Sequence, residues 1–246
     1  MSLSRTLRIA SATGLLAAVS ATAGLVVSGP AHATPDGPAP IAQAPEEKAA
    51  PLIYGEDVSG HEPDHDWNAS PARFGFVKAT EGVTFTDASF ARHWRQLGEK
   101  GIVRGAYHFA RTYNDPIAEA DHFLKVVNSQ PSKAGDLLVL DLETSDGNSV
   151  SHVNKWAKTW LAYVKKKTGA TPMIYTGWNF ANTYGGGMSE YPLWVAHYSK
   201  AKGAVTPPAD WKSWAIHQYT EDPIDENVSA LTVDQLRALG RPAAKA

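Results

Sequence analysis

Two carboxylates lie at the end of an apolar run in the middle of the chain. Leu137 to Leu140 are apolar, Asp141 and Glu143 follow almost at once, and Asp146-Gly147 makes a turn. A short apolar run bounded by turn residues is typical of a strand buried in an α/β sheet. Side chains two residues apart point to the same side of a strand, so we expect the two acids to project together. Their Cα atoms would then be about 6 to 7 Å apart.

Two acids in one environment can hold different protonation states, because like charges raise one of the two pKa values. Glycoside hydrolysis uses that combination, since an acid protonates the leaving oxygen while an anion stabilises the cationic transition state. The alternative is a solvated strand end, because Asp-x-Glu is a short pattern that arises by chance. The position at the C-terminal end of a buried strand favours a site, since α/β folds place their sites there.

Residues 1–33 have the composition of a secretory signal peptide. Arg5 and Arg8 are their only charged residues, an apolar stretch runs from Ile9 to Val27, and Ala31-His32-Ala33 matches a cleavage site. A membrane anchor is the alternative, but serines and threonines interrupt the apolar stretch. We therefore expect cleavage and a secreted, extracellular protein without membrane contact.

The remaining chain divides into three parts by composition. Residues 34–51 are rich in proline and alanine and predict an extended linker. Residues 52–240 predict one barrel domain that carries the candidate catalytic acids, and residues 241–246 predict a short tail. Oligomeric state cannot be deduced from the pattern, and we expect a monomer.

Charge and cysteine content exclude several kinds of partner. The formal net charge of −2 becomes −4 once Arg5 and Arg8 are removed, so the mature protein is a poor nucleic-acid binder. The chain has no cysteine, which rules out disulfides and thiolate metal sites. His61, Asp64, His65 and Asp66 lie in a polar loop without metal-ligand spacing, so we expect no metal and no cofactor.

A rhythm of strand and helix begins near Leu52. Apolar periodicity and turn signals predict helices over residues 87–100, 116–128 and 149–167, with a shorter one over 231–239. Strands are predicted over residues 52–58, 74–79, 102–109, 137–141, 173–176, 193–198 and 214–219. Because the late chain is mostly β, the pattern indicates the α/β class, as an irregular (β/α) TIM-like barrel whose late strands lack full helices.

In such a barrel the polar residues at the C-terminal strand ends converge on one rim. Aromatic faces there could stack on sugar rings while acids and amides bind hydroxyl groups. The alternative is packing: the tyrosines and Trp194 could belong to the core, the two histidines to structural hydrogen bonds, and Lys78 to an ion pair. The rim residues are Asp57, Glu81, Tyr107, His108, Asp141, Glu143, Tyr175, Trp194, His197, Gln218 and Tyr219.

Nine short motifs, in order from about Leu52 to Val228, resemble glycoside hydrolase family 25, the Chalaropsis-type lysozymes. They cover nearly all of the predicted domain. The motifs are residues 54–59 (YGEDVS), 66–67 (DW), 78–82 (KATEG), 105–110 (GAYHFA), 141–143 (DLE), 174–177 (IYTG), 193–198 (LWVAHY), 218–220 (QYT) and 224–227 (IDEN).

The resemblance implies a secreted N-acetylmuramidase that cuts the β-1,4 bond between N-acetylmuramic acid and N-acetylglucosamine in peptidoglycan. It implies Glu143 as general acid/base, Asp141 as the group that orients the substrate 2-acetamido group, and Asp57 as electrostatic support. Retention of configuration with assistance from that acetamido group would fit. The residues implied to line the cleft are Glu81, Tyr107, Tyr175, Trp194, His197, Gln218 and Asp225.

The sequence departs from the family pattern at a few positions. Glu56 stands where an aliphatic residue is usual, His217 replaces an aromatic residue before Gln218, and the segment Asp225-Glu226-Asn227 carries an acid where an aliphatic residue is usual. These departures concern local packing and substrate preference rather than the proposed catalytic acids.

Two other functions compete with this one. A catalytically silent wall-binding lectin could use the same cleft, but it would have no need for Asp57, Asp141 and Glu143 together. A chitinase-like barrel carries a longer acidic series, and here Val139 interrupts the equivalent positions.

Overall fold

The computed structural model describes residues 51–243. The predicted signal peptide and all but the last residue of the predicted linker lie outside this range. None of the helices in residues 51–243 combines the length and hydropathy that a membrane-spanning segment needs.

Eight strands form a closed barrel, which confirms the predicted fold class. Hydrogen bonds join neighbours in the order β1-β9-β8-β7-β6-β5-β4-β2, and pairing of β1 with β2 closes the ring. The short β3 adds to the outside of β2. The strands are β1 (Ile53–Val58), β2 (Phe74–Glu81), β3 (Phe85–Thr86), β4 (Val103–Phe109), β5 (Leu137–Asp141), β6 (Met173–Gly177), β7 (Leu193–Ala196), β8 (Ile216–Thr220) and β9 (Asp225–Ser229).

Within residues 51–243 five helices accompany the strands, and the three longest precede β6. They are α1 (Phe90–Lys100), α2 (Pro116–Asn128), α3 (Val150–Thr168), α4 (Trp178–Tyr184) and α5 (Val233–Leu239). Asp115 caps α2 and Ser149 caps α3 through side-chain oxygens that accept backbone N–H groups. No helix connects β7 to β8, as expected from Pro207-Pro208 in that segment.

Strand β9 was missing from the sequence-based prediction. It pairs antiparallel with both β1 and β8, whereas the other ring neighbours are parallel. Its sequence, Asp-Glu-Asn-Val-Ser, has no apolar alternation, which explains why the pattern did not predict a strand. Asp225, which the family resemblance implied as a cleft residue, therefore stands at the start of an antiparallel strand.

The barrel separates two hydrophobic clusters. Inward-facing residues such as Phe74, Phe76, Val139 and Trp194 fill the barrel, and a larger cluster packs the helices against the outside of the sheet. Gly105 allows close packing, because a Cβ there would lie 2.3 Å from the Phe76 ring. The filled interior leaves open space only where the side chains become polar, at the barrel mouth.

The C-terminal segment differs from the predicted tail at its start. Arg241 donates its backbone N–H to Asp136 and accepts one from Gly135. Its guanidinium also contacts Asn128 at 2.8 Å. The chain is therefore fixed to the base of β5 at least as far as Arg241.

Candidate active site

A polar cavity of about 220 Å³ opens at the mouth of the barrel. Eight of the ten predicted site residues line it, together with Tyr198 and Glu221, which were not among them. The eight are Asp57, Tyr107, Asp141, Glu143, Tyr175, Trp194, Gln218 and Asp225. Strands β1, β4, β5, β6, β7, β8 and β9, or the residues that directly follow them, all contribute, so the cavity depends on barrel closure.

Asp57 is held at the floor of the cavity by two amide groups. Its Oδ2 accepts hydrogen bonds from Gln218 Nε2 at 2.8 Å and from Asn227 Nδ2 at 2.7 Å. Burial and the neighbouring Asp225 raise the pKa of Asp57 well above its usual value, and the two amide donors act in the opposite direction. The carboxyl group is therefore rigidly oriented, and its ionisation depends on the charge of its neighbours and on its two amide donors.

The orientation of both amides follows from their other partners. Gln218 Oε1 accepts the hydroxyl groups of Tyr175 and Tyr198, each at 2.7 Å, so its NH₂ group must face Asp57. In the same way, Asn227 Oδ1 accepts the Trp194 indole N–H at 2.7 Å. Aromatic residues of the rim thus have a positioning role, because they fix the amides that fix Asp57.

Asp141 and Glu143 differ in their access to solvent. Asp141 is only 4% exposed, whereas the Glu143 side chain is exposed at the cavity. Burial raises the pKa of Asp141, and the adjacent Glu143 raises it further. Burial raises the pKa of Glu143 as well, whereas its interaction with Asp141 and the positive charge of Lys78 lower it. Because each carboxylate disfavours ionisation of its neighbour, the pair retains one proton more readily than two separate acids would.

Asp225 brings another acid into the cavity. Burial, followed by the charges of Glu62, Glu221 and Glu143, raises its pKa to about 7. The cavity therefore concentrates acids that cannot all ionise near neutral pH. None of the ten described residues that line it is a lysine or an arginine.

The structure places two predicted cleft residues outside the cavity lining. Both carboxylate oxygens of Glu81 are occupied, because Oε2 lies 2.7 Å from Lys78 Nζ and Oε1 lies 2.9 Å from Arg111 Nε. The ring of His197 stacks on Trp178, with centroids 5.1 Å apart. The contacts of Glu81 with Arg111 and of His197 with Trp178 join residues far apart in the sequence, so local sequence contains no signal for them.

The remaining candidates have structural partners. His108 is fully buried and is not part of the mouth: its Nδ1 lies 2.8 Å from Thr80 Oγ1 and its Nε2 2.7 Å from Glu119 Oε2. Lys78 is an ion-pair partner, as predicted. Within residues 51–243 no cluster of three or more histidine or acidic side chains has a metal-binding arrangement.

The departures from the family pattern fall on both sides of the barrel wall. Glu56 faces away from the cavity, where its carboxylate accepts the Tyr54 hydroxyl at 2.9 Å and pairs with His65 at 3.0 Å. His217 accepts the Gly203 backbone N–H at 3.1 Å. These polar contacts stabilise the part of the wall that no helix covers. Within the segment Asp225-Glu226-Asn227, Asp225 lines the cavity and Glu226 does not.

A larger cleft, about 400 Å³, lies at the opposite end of the strands, beside the start of β7. Its two acids, Glu190 and Asp210, are exposed. Neither acid is buried, so this cleft offers no counterpart of the buried acid pair.

Comparison with known proteins places the fold and the cavity in a family. The family described as "Glycosyl hydrolases family 25" matches residues 56–228. YegX of Escherichia coli strain K12 is 35% identical over 208 residues, which cover 77% of this chain and 74% of YegX. An N,O-diacetylmuramidase of Arthroderma benhamiae is 30% identical over 210 residues, covering 80% of this chain and 83% of that protein.

Solved structures agree with the sequence matches. A family GH25 lysozyme from Aspergillus fumigatus superposes with a TM-score of 0.70 at 29% identity, covering 78% of this chain and 100% of that one. The bacterial lysozyme from Streptomyces coelicolor superposes with a TM-score of 0.69, also at 29% identity, over 76% of this chain and 96% of that one. The family predicted from the nine motifs is confirmed, and the chain belongs to the glycosyl hydrolases of family 25.

Proposed function

We propose that this chain is a secreted N-acetylmuramidase that hydrolyses the β-1,4 bond between N-acetylmuramic acid and N-acetylglucosamine in bacterial peptidoglycan. The observation that carries the proposal is the convergence of Asp57, Asp141 and Glu143 on one aromatic-lined cavity. Relatives named as muramidase and lysozyme support the choice of substrate.

In the first step Glu143 is the general acid. The proton that it shares with Asp141 reaches the glycosidic oxygen through Glu143, whose side chain is exposed at the cavity. The bond between C1 of N-acetylmuramic acid and this oxygen breaks, and the leaving N-acetylglucosamine keeps the proton. The carbonyl oxygen of the 2-acetamido group bonds to C1 with inversion of configuration, which gives a cyclic oxazolinium ion. A second inversion at C1 in the next step can then restore the starting configuration.

The buried acids stabilise the positive charge that develops. Loss of the shared proton leaves Asp141 as an anion that accepts the acetamido N–H and opposes the charge of the oxazolinium ion. Asp57, held by Gln218 and Asn227, adds electrostatic support from below. Water then attacks C1 while the Glu143 carboxylate takes its proton, so the ring opens and the first configuration is restored.

The proposed setting follows from the sequence. Residues 1–33 direct the chain out of the cell and are removed, and the mature protein acts as a monomer on glycan strands without nucleic-acid, membrane or cofactor partners. Substrate contacts come from Tyr107, Tyr175, Trp194, Gln218 and Asp225 at the cavity.

Digestion of purified peptidoglycan tests the bond that is cut. The products are reduced with borohydride, hydrolysed, and analysed for the reduced amino sugar. We expect muramicitol, because the bond to C1 of N-acetylmuramic acid breaks. Glucosaminitol would indicate a glucosaminidase, and binding without any new reducing ends would indicate a lectin.

Two further measurements test the assisted, retaining pathway. We expect the first-formed product to have the β-anomeric configuration in time-resolved proton NMR. We also expect inhibition by a thiazoline analogue of the oxazolinium ion, since analogues of such intermediates bind more tightly than substrate. An α-anomer as first product would contradict retention.

A further inference from the structure

A cation faces the acid pair from the neighbouring side of the barrel. Lys78 is the cross-strand partner of Tyr107, which lines the cavity, so both side chains point into the barrel mouth. Its ammonium lies 5.0 Å from the centre of the Phe109 ring. Phe109 is in turn the cross-strand partner of Asp141. Lys78 therefore contacts the residue that stands beside Asp141 in the sheet.

A β-bulge brings Glu81 to the same face as Lys78. The register between β2 and β4 shifts between Lys78 and Thr80, which re-aims the last residues of β2. Without the bulge, residues three apart on a strand would point to opposite faces. With it, Glu81 binds the Lys78 ammonium at 2.7 Å.

Arg111 connects this pair to the loop that carries Glu143. Arg111 Nε donates a hydrogen bond to Glu81 at 2.9 Å, and Arg111 Nη1 lies 3.5 Å from Asp146 Oδ1. The guanidinium group also lies 4.8 Å from the centre of the Phe109 ring. Asp146 follows Glu143 by three residues and has a left-handed backbone, with φ of 48°. Its Oδ2 accepts the Thr112 backbone N–H at 2.6 Å, which fixes the two loops to each other.

Building on the muramidase function proposed above, we propose that Lys78, Glu81, Arg111 and Asp146 form an ion-pair network that positions Glu143 and sets the electrostatic environment of the acid pair. In this network Glu81 is a positioning residue rather than a substrate contact, because Lys78 and Arg111 use both of its oxygens. Lys78 and Arg111 are its two cations, and they contact the same Phe109 ring.

The sign of each member's effect follows from its charge. The other titratable groups that line the cavity with the acid pair are acids or phenols, so a change of one charge in the network changes a potential that is otherwise negative. Those groups are Asp57, Tyr107, Tyr175, Tyr198, Glu221 and Asp225. Removing a cation from the network raises the pKa of the acid pair, and removing Glu81 lowers it.

The acidic limb of the pH profile of kcat/KM on soluble glycan fragments tests the network. We expect Lys78→Met and Arg111→Met to move this limb to higher pH, and Glu81→Gln to move it to lower pH, each by about 0.5 to 1 pH unit. Arg111→Lys keeps the charge and should restore most of the wild-type profile. Arg95→Met, a change on the exposed surface of α1, is the matched control and should leave the profile unchanged.

Opposite shifts separate this network from a merely structural role, which would lower activity without moving the limb in either direction. If Glu81 contacts substrate instead, Glu81→Gln raises KM and leaves the limb in place, and the network is overturned. The shifts should also be less than additive in Lys78→Met/Arg111→Met, because both cations act through one glutamate.

A readout without turnover keeps this test independent of the proposed reaction. Carboxyl carbon-13 NMR titration of Asp141 and Glu143 in the same variants should show the same directions of change. If wild-type protein releases no muramic acid ends but the titrations shift as expected, the proposed function fails and the network stands. If wild-type protein is active and neither readout shifts, the network fails alone.

Discussion

Asp57 and Asp225 are directly opposite partners in the antiparallel pair β1–β9. Such partners have Cβ atoms about 4.5 to 5.5 Å apart and share a face of the sheet, so the two acids face the same cavity. After burial, the charge of Asp225 is the largest cause of the raised pKa of Asp57. The strand that closes the barrel therefore also adjusts the acids of the site.

Asp225 makes stability depend on pH. Its folded-state pKa is raised to about 7, whereas an aspartate in an unfolded chain has a pKa near ~3.9. The stabilising contribution of Asp225 to the free energy of unfolding is thus fully present below about pH 4 and is lost as the pH rises through about 7. We expect Asp225→Asn to raise the free energy of unfolding at pH 8 relative to pH 4 by on the order of 1–3 kcal/mol. Urea unfolding at both pH values measures this, and an equal effect at both would refute it.

Gln218 should be more important than either tyrosine that binds it. Gln218→Met leaves the Tyr175 and Tyr198 hydroxyls without their shared acceptor and takes one donor from Asp57. We expect a loss of about 1–3 kcal/mol in unfolding free energy and a fall in turnover of at least tenfold. Tyr198→Phe is the matched control, since Tyr175 still orients the amide. A larger loss of unfolding free energy and turnover in Tyr198→Phe than in Gln218→Met would show that the amide is not the central group.

Glu119 supports the loop that begins at Arg111. It accepts hydrogen bonds from His108 at 2.7 Å, from the Arg111 backbone N–H at 3.1 Å and from the Asn114 amide at 2.8 Å. Glu119→Ala leaves these donors unpaired in a buried site, so we expect a destabilisation of about 3 kcal/mol. Glu99→Ala on the exposed side of α1 should stay within about 0.5 kcal/mol. Thermal and urea unfolding compare the two, and similar losses would contradict a role for the buried network.

Gly105 is required by the packing of the barrel interior. A Cβ at this position would lie 2.3 Å from Phe76, whose ring contacts Trp194 with centroids 4.4 Å apart. We expect Gly105→Ala to cost about 1–3 kcal/mol of unfolding free energy. Gly186→Ala should be tolerated, because its nearest side-chain atom would be 3.6 Å away. Equal stability of the two variants would show that the interior can repack around the methyl group.

Much of the fold could be predicted because its helices and parallel strands carry apolar periodicity. The helix α3, for example, was predicted from one apolar stripe, its Ser149 cap and the lysines before Gly169. Strand β9 could not be predicted in that way, since the alternate residues Asp225, Asn227 and Ser229 are all polar. Apolar alternation is a signal of burial in a core, whereas Asn227 is buried against Asp57 and Ser229 against the backbone carbonyl of Ala215.

The candidate site shows the same division. Order and spacing of the motifs brought Asp57, Asp141 and Gln218 to one rim, and the structure places all three in one cavity. Tyr198 was within a quoted motif, but its contact with Gln218 joins the segment after β7 to β8, 20 residues further along the chain. The ion pairs that occupy Glu81 likewise depend on a bulge and on a loop contact. Local sequence contains no signal for either.

The most direct test of the account is the turnover of Glu143→Gln on purified peptidoglycan, measured as new reducing ends. The amide cannot deliver a proton, so we expect a loss of about 10²-fold or more with circular dichroism and unfolding free energy close to wild type. Glu99→Gln, an isosteric change on the surface of α1, should retain full turnover. A folded Glu143→Gln variant that releases muramic acid ends at the wild-type rate would contradict the assignment of Glu143 as the general acid.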